Sequence, residues 1–360
     1  MPFDFSSLIN PQGQPLLGLD VSSFSVKLVE LSERGEGDYC LERYVIELLP
    51  RDAVVDGNIV NLEAVAESVG RAWKRLGSPV KRVAMALPAT AVITKKIELP
   101  AGLREEEMEV QVESEANQYI PFALEEVNLD FQIIGPVPNS TDEVEVLIAA
   151  SRKEKVEDRV AVAEAAGLKV LVVDVESYAA QAAFALVAAS LPNHGKGRVI
   201  GLVDVGANTT NFTALKDGET LYAREQAFGG NQLTQDMVRD YGLSPEEAEA
   251  AKRSGDFPAG SLDSLVRPFA ENLAMEVARA LQFFFTSTPH TTIDDIVLCG
   301  GCATLPGVVD AVAGRTGANV VVANPFSGMR RGEHVREKTL INEAPMLLVA
   351  TGLALRKGGE

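Results

Sequence analysis

Cysteine, histidine and basic charge are all scarce in this chain, and each scarcity narrows what it can be. Three cysteines occur in 360 residues. That small odd number fits a reducing cytosol and argues against a disulfide-built fold. Two of them form Cys299-Gly-Gly-Cys302, a spacing that can be redox-active or half of a zinc site. No second such pair exists, and His194, His290 and His334 are scattered, so the motif reads as small residues beside a glycine turn. Lysine and arginine total 33 against 51 acidic residues, a net charge of −18. Such a surface repels phosphate backbones and anionic lipid, which argues against nucleic acid or a bare membrane as the main partner. A single nucleotide can still bind through backbone N–H groups and a metal ion.

Long apolar runs are also missing. The longest nearly apolar stretch, AAQAAFALVAAS (179–190), contains Gln181 and falls short of the ~20 residues a bilayer needs. The opening MPFDFSSLINPQGQP has neither a basic region nor an apolar core, so no secretory signal is expected. These absences predict a soluble, cytoplasmic protein. What is present is ordinary globular material, 46% hydrophobic and 23% charged, in a length that suits roughly two to three domains.

The stretch NLEAVAESVGRAWKRLG (61–77) carries Leu62, Val65, Val69, Trp73 and Leu76 at steps of three and four, the mark of an amphipathic helix. It is expected to pack on a sheet containing RVAMAL (82–87). Between Pro88 and Pro100 lies a strand, followed by a charged helix (103–120) ending before Pro121, two strand-like runs separated by GPVPNSTD, and a helix over 152–166 that stops at Gly167. This order reads as a small insertion within a larger α/β unit. The buried strand LKVLVVDV follows, and PNHGKG (192–197) is the clearest linker. After it come strands, then helical pattern over 231–241, 244–254 and 261–286, then a return to α/β at DDIVLCGG (294–301) and a closing apolar helix over 343–355.

Two stretches repeat one pattern: LGLDVSSFSVKLVEL at 17–31 and GLVDVGANTTNFTAL at 201–215. Each is an apolar run, Asp-Val, small and hydroxyl residues, and a second apolar run. A hairpin with such a turn directs backbone N–H groups outward as an anion nest. Asp20 or Asp204, at the end of the first strand, can hold a hydrated Mg²⁺ that meets a phosphate. Two facing hairpins would clamp a polyphosphate from both sides, which gives the duplication a purpose. Later elements follow in a suitable order. VVDVESYAAQ puts Glu176 at a strand-to-helix junction, PEEAEAAK puts Glu249 and Lys252 on one helix face within reach of ribose hydroxyls, and LCGGCATLPG supplies a glycine turn flat enough for a base.

With these features the chain resembles the actin-like ATPase superfamily of actin, the Hsp70 chaperones and the cell-division protein FtsA. The matching segments are Asp20 to Lys27, Asp174 to Ala179, Asp204 to Thr210, Leu298 to Gly307 and Ala350 to Ala354. Within that superfamily it is most similar to the PilM family of cytoplasmic proteins of type IV pilus assembly. LGLDVSSFSVKLVEL, ESEANQYIPFALEEVNLDFQI, GGNQLTQDM and GLALR carry that likeness over about residues 15–357. Phe24 and Cys302 depart from the family pattern, which favours smaller residues there.

The resemblance implies a duplicated actin-like (ribonuclease H-like) α/β fold, two lobes around a nucleotide cleft. A small α+β subdomain (SHS2-like) would be inserted in the first lobe. The expected division is 15–83, 168–191 and 343–357 for the first core, 84–167 for the partner-binding insert, 198–230 and 291–342 for the second core, and 231–290 for its helical insertion. It further implies one Mg-ATP (or ADP), with Asp20 and Asp204 holding hydrated Mg²⁺. Ser22, Ser23, Ser25, Lys27 and the loop Gly206, Ala207, Asn208, Thr209 and Thr210 would contact phosphates. Gly229 and Gly230 would back the ribose, Glu249 and Lys252 would bind its hydroxyls, and Gly300, Gly301 and Ala303 would lie against adenine. Glu176 is the candidate to orient a catalytic water, with hydrolysis slow or absent. The insert would bind the cytoplasmic N-terminal peptide of PilN, with Tyr119, Ile120 and Phe122 as groove candidates. Contact with other pilus platform proteins and self-association also follow from the likeness, and membrane contact only through partners.

Alternative readings are a sugar kinase, which lacks a convincing base, a filament-forming FtsA-like division protein, and a type II secretion assembly component. FtsA would be expected to end in a membrane helix and the secretion component to continue into a transmembrane one, whereas LRKGGE follows the last core helix directly.

Overall fold

The computed structural model describes residues 14–35, 37–138 and 140–358; residues 1–13 of the opening segment, expected to hold no secretory signal, lie outside them, as does position 139 of the GPVPNSTD turn. The chain forms two compact units. One runs through Ala180 and takes in Arg331–Glu333 and the segment from Val349 on; the other comprises Gln181–Arg330 and His334–Leu348. Among the described residues no helix is long and apolar enough to cross a membrane.

In the first unit β1 (Leu17–Val21) is buried along its whole length, as an apolar central strand must be. It pairs antiparallel with β2 (Ser25–Glu33), which pairs antiparallel with β3 (Tyr39–Leu48). Helix α1 (Leu62–Leu76) lies where the 3-and-4 spacing put it. The Asn61 side chain accepts from Ala64 N at its start, Gly77 closes it at φ +65°, and Val65, Val69, Ala72 and Leu76 are buried. Strand β4 (Arg82–Leu87) then joins β1 in parallel.

The chain next leaves the core for a three-stranded antiparallel sheet. Strand β5 (Ile93–Pro100) leads to helix α2 (Glu105–Tyr119), then to β6 (Val127–Pro136) and the central strand β7 (Glu143–Arg152). Met108, Val112 and Ala116 of α2 cover Ile97, Leu99, Val146 and Ile148, so the insert has its own small core. Helix α3 (Lys153–Ala165) does not belong to it, because Val156, Val162 and Ala163 pack with Val65, Val69 and Met85 of the main core. The inserted sheet and helix thus occupy 93–152. Strand β8 (Lys169–Val175) returns parallel to β4, and α4 (Glu176–Ala188) follows.

The sheet of the second unit begins with β9 (Val199–Val205), β10 (Thr210–Lys216) and β11 (Glu219–Gln226), antiparallel in sequence. Helices α5 (Asn231–Tyr241), α6 (Pro245–Ser254) and α7 (Arg267–Ser287) come next, the last entered through a π-helical turn at Leu262–Val266. Ser244 and Glu247 form a capping box on α6. Then β12 (Asp295–Cys299), α8 (Val308–Thr316) and β13 (Asn319–Val322) complete the sheet, with β12 parallel to β9 and β13 parallel to β12. Phe212, Leu233, Met237, Phe269, Leu273, Phe284, Ile296 and Leu298 form one core between sheet and helices.

The two sheets have the same plan. The order β3-β2-β1-β4-β8 in the first unit is matched by β11-β10-β9-β12-β13 in the second, with the same strand directions. The repeated sequence pattern is therefore a repeated sheet. After α9 (Glu337–Glu343), the closing segment expected as one helix over 343–355 is a short 3₁₀ turn at Ala344–Leu347 followed by α10 (Leu348–Ala354). Residues from Val349 on group with the first unit, and 343–348 with the second.

Candidate functional site

The first hairpin pairs Asp20 with Lys27 and Val21 with Val26, leaving a turn over 22–25. Ser22 N donates to Ser25 O at 3.1 Å, and the Ser22 hydroxyl donates to the same oxygen at 3.0 Å. Leu49 N holds the outer peptide through Phe24 O at 2.9 Å. Among the described residues nothing accepts from the amides of Ser23 and Phe24. Directly cross-strand residues point to one face, so Lys27 Nζ reaches Asp20 Oδ2 at 2.7 Å and Ser22 Oγ at 3.2 Å. Both charged residues are buried. The residues expected to meet a phosphate and a metal are joined to each other.

The second hairpin is built to the same measure. Asp204 pairs with Asn211 and Val205 with Thr210, around a turn over 206–209 closed by Gly206 N to Thr209 O at 2.9 Å. Here the turn is braced from its side. Gly206 O accepts from Gly230 N at 3.0 Å and Ala207 O from Asn231 N at 2.8 Å. Asn231 Nδ2 donates to Asn208 Oδ1 at 2.5 Å, and the buried Thr210 hydroxyl donates to Phe228 O at 2.8 Å. Gly229 is obligatory, because a Cβ there would stand 2.5 Å from Ala207 O. Among the described residues the amides of Ala207 and Asn208 have no acceptor. The turn therefore presents two backbone donors beside the start of α5, whose own first amides are taken up in bracing it.

Gly300 lies against this turn at φ +86°, and a Cβ on it would collide with the Asp204 carboxylate and the Val205 backbone. Its N–H donates to Pro345 O at 2.9 Å. Glu249 and Lys252, expected on ribose hydroxyls, form an ion pair of 2.6 Å, Glu249 buried and Lys252 half-buried. Lys252 also donates to Gly230 O at 3.0 Å and to Thr234 Oγ1 at 2.8 Å, and the Thr234 hydroxyl bonds to the Glu249 carboxylate. Their polar ends brace the start of α5. Gly301 is exposed, whereas the Ala303 side chain is buried in the core and offers no surface to a base.

Cys299 and Cys302 are both buried thiols. Burial pushes Cys299 well above its ordinary value and Cys302 up to about 11, the nearby Lys252 only partly opposing the latter. Neither is a thiolate near neutral pH, which supports the glycine-turn reading over redox chemistry.

On the insert, the three groove candidates separate. Ile120 is buried in the small core, which corrects its place in a groove: the last turn of α2 directs it inward with Ala116. Tyr119 and Phe122 are exposed, with Lys95 Nζ 5.0 Å from the Tyr119 ring centre and the Arg152 guanidinium 5.6 Å from that of Phe122.

Glu176 opens α4, half-buried, and attracts the guanidinium of Arg159. Arg159 itself was not legible as a site residue. It is fully buried and donates to Val21 O at 2.7 Å and Gly57 O at 2.9 Å. The available signal was its position on α3, three residues from Val156 and three from Val162, in the apolar stripe. A second buried pair, Arg356 Nε to Asp174 Oδ2 at 2.7 Å, ties the end of β8 to the segment after α10. Desolvation pushes the Asp174 carboxyl up, with Arg356 opposing.

A family model described as type IV pilus assembly protein PilM matches residues 18–358. Among solved structures, a PilM–PilN type IV pilus biogenesis complex superposes with a TM-score of 0.79 at 28% identity, covering 95% of this chain and 98% of that one. Ethanolamine utilization protein EutJ from Carboxydothermus hydrogenoformans superposes at 0.56 with 18% identity, over 98% of this chain and 93% of that one, a likeness of fold alone. By sequence, the cell division protein FtsA of Bacillus subtilis is 22% identical over 341 residues, 82% of this chain and 76% of that protein. EutJ of Salmonella typhimurium is 32% identical over 108 residues, 30% of this chain, so the chain spans 35% of the length of that relative. The repeated sheet order and these likenesses make the fold actin-like, as the sequence resemblance implied.

Proposed function

The chain belongs to the type IV pilus assembly protein PilM family, and from that premise we propose that it is an ATP-binding scaffold on the cytoplasmic side of the pilus assembly platform. In this reading its insert captures the N-terminal cytoplasmic peptide of PilN. The observation that carries the nucleotide part is the pair of equivalent turns, 22–25 and 206–209, each closed by the same N–H to C=O bond and each with two amides lacking an acceptor among the described residues. Backbone donors at a tight turn suit phosphate oxygens whatever the net charge of the chain.

The residues present fit Mg-ATP. The Gly229 cradle over residues 207–208 admits an approach that a Cβ would block, and Asp204 stands at the turn. Among the described residues no group of three or more His, Cys, Asp or Glu could enclose a metal. Mg²⁺ suits such a place because it keeps its waters and binds through one or two carboxylates and the phosphates, whose charge it neutralises. Asp204 would be such a carboxylate in its unit, and in the other unit Asp20 would serve once released from Lys27, whose ammonium would then be free for phosphate. Gly301 is the exposed glycine for the base, and Glu249 with Lys252 set the start of α5 beneath the ribose. Glu176 is engaged electrostatically with Arg159, so a water held there meets a partly neutralised base and turnover is slow or absent.

The partner half rests on the likeness to a structure solved as a PilM–PilN complex and on the exposed aromatics Tyr119 and Phe122. Titration calorimetry with Mg-ATP, for the wild type and Asp204→Ala, tests the first half, alongside a timed phosphate-release assay and a titration with the PilN N-terminal peptide. Binding abolished by Asp204→Ala with little phosphate released supports the scaffold. No binding by the wild type refutes the nucleotide part, and rapid release makes the protein an enzyme.

A further inference from the structure

A guanidinium in an apolar helix stripe needs partners, since burying an unpaired charge is far more costly than burying a methylene. On α3 the buried face is Val156, Arg159, Val162 and Ala163, and the partners of Arg159 are informative. Nη1 donates to the carbonyl of Val21, the last residue of β1, one peptide before the 22–25 turn. Nη2 donates to the carbonyl of Gly57, in the small hairpin Val54–Val55/Asn58–Ile59. Its charge is met by Glu176, Asp20 and Asp158. We infer that Arg159 is a positioning residue for the 22–25 turn and mechanically ties that turn to the base of the inserted sheet.

The tie follows from where the insert joins the core. Its outgoing strand β7 ends at Arg152 and α3 begins at Lys153 without a break. Its incoming connection passes through Pro88 and Ala89–Ala91, and the Ser151 hydroxyl donates to Ala91 O at 2.8 Å, fastening the two connections together. Gly57 sits at φ +73° with Pro88 Cγ 2.8 Å from where its Cβ would be, so the Gly57 hairpin rests on that same base. Gly57, Pro88, Ala91, Lys155 and Arg159 line one small cavity there. A tilt of the insert therefore moves α3, and α3 carries the donor that fixes the Val21 carbonyl. The peptide after Val21 bears the Ser22 N–H that closes the turn, so a shift of that carbonyl changes the aim of the turn amides.

The inference depends on the nucleotide reading only for what the turn binds, and the experiment separates the two. Amide hydrogen exchange is measured on the full chain without nucleotide for the wild type, Arg159→Met and Arg159→Lys, followed by titration with Mg-ATP. Methionine fills the volume but leaves both carbonyls buried and unbonded. Exchange over 22–26 and 57–60 is expected to rise about tenfold in Arg159→Met, with α1 and β8 unchanged, the lysine variant intermediate, and the Mg-ATP dissociation constant raised about tenfold. Uniform acceleration across the first unit, or an unchanged turn, overturns the inference, as does wild-type ATP affinity in a variant whose turn has loosened. A wild type that binds no Mg-ATP but shows the local exchange difference removes the nucleotide reading and leaves the positioning role standing. If Arg159→Met does not fold, the same local pattern in Arg159→Lys, which keeps the charge and fewer donors, supports the inference and its absence refutes it.

Discussion

Lys27 donates to Asp20 at 2.7 Å in the same cross-strand register in which the second hairpin pairs Asp204 with Asn211. The two turns share backbone geometry, but their charge differs. The first carries its own counter-cation, and the second carries a carboxylate facing an amide-bearing residue. In the proposed nucleotide reading, Asp20 becomes available to a cation only when an anion competes for Lys27.

That pair is nearly buried, with side chains 10% and 6% exposed. Removing one partner strands the other, and such changes cost about 3 kcal/mol or more. Lys27→Met is therefore expected to lower stability by about 3 kcal/mol, and Asp20→Asn/Lys27→Met to recover most of that loss. Urea unfolding midpoints at constant slope give the comparison. Equal loss in the single and double variants would mean the pair contributes through packing alone.

Gly229→Ala forces a Cβ to within 2.5 Å of Ala207 O, so the 206–209 turn must move. The expected cost is about 1–3 kcal/mol in stability, with a loss of Mg-ATP affinity of more than about tenfold. Gly218→Ala is a suitable control, for it has φ +86° and open space around it: it strains a turn between β10 and β11 without touching the phosphate donors. Calorimetric titration of both variants reads the difference, and equal effects would place Gly229 outside the site.

Much of this was legible because it is local. Asp-Val followed by small residues announces a turn, and the spacing in 61–77 announces an amphipathic helix. What was not legible depends on distant partners. Val156 and Val162 look the same on any helix, and only packing on Val65 and Val69 assigns α3 to the main core. Arg159 reads as one more charge in KEKVEDR until its stripe is known to be buried. Glu249 and Lys252 at i,i+3 suit two ribose hydroxyls by spacing alone, yet that same spacing joins them to each other.

The buried thiols predict a pH dependence. Their folded values are raised above the ordinary 9.0, Cys302 to about 11. A raised value favours the protonated, folded form, so this contribution is fully present below pH about 9 and is lost as pH climbs from 9 to 11. For Cys302 alone the loss is roughly 2–3 kcal/mol. Melting at pH 8, 9.5 and 11 on the wild type and Cys302→Ala should show a steeper decline in the wild type. At pH 8 about one Cys302 in a thousand is thiolate, so iodoacetamide should label it only as the protein unfolds. Rapid labelling of the native chain would contradict the burial.

The NQYIPF segment gives the sharpest division between stability and binding, because its three candidates part at the surface. Ile120 is 7% exposed within the insert core, and Ile120→Ala is expected to cost about 2–4 kcal/mol. Tyr119 and Phe122 are 46% and 38% exposed, each with a cation over its ring. Their alanine variants should stay within about 1 kcal/mol of wild-type stability. If they anchor the PilN peptide, each should weaken it by about tenfold or more, since exposed aromatics at an interface carry a large share of its energy. Thermal melts and peptide titrations on the three single variants decide the matter. Unchanged peptide affinity in both aromatic variants would move the docking surface away from the end of α2. Lost stability in those variants would make the aromatics part of the fold.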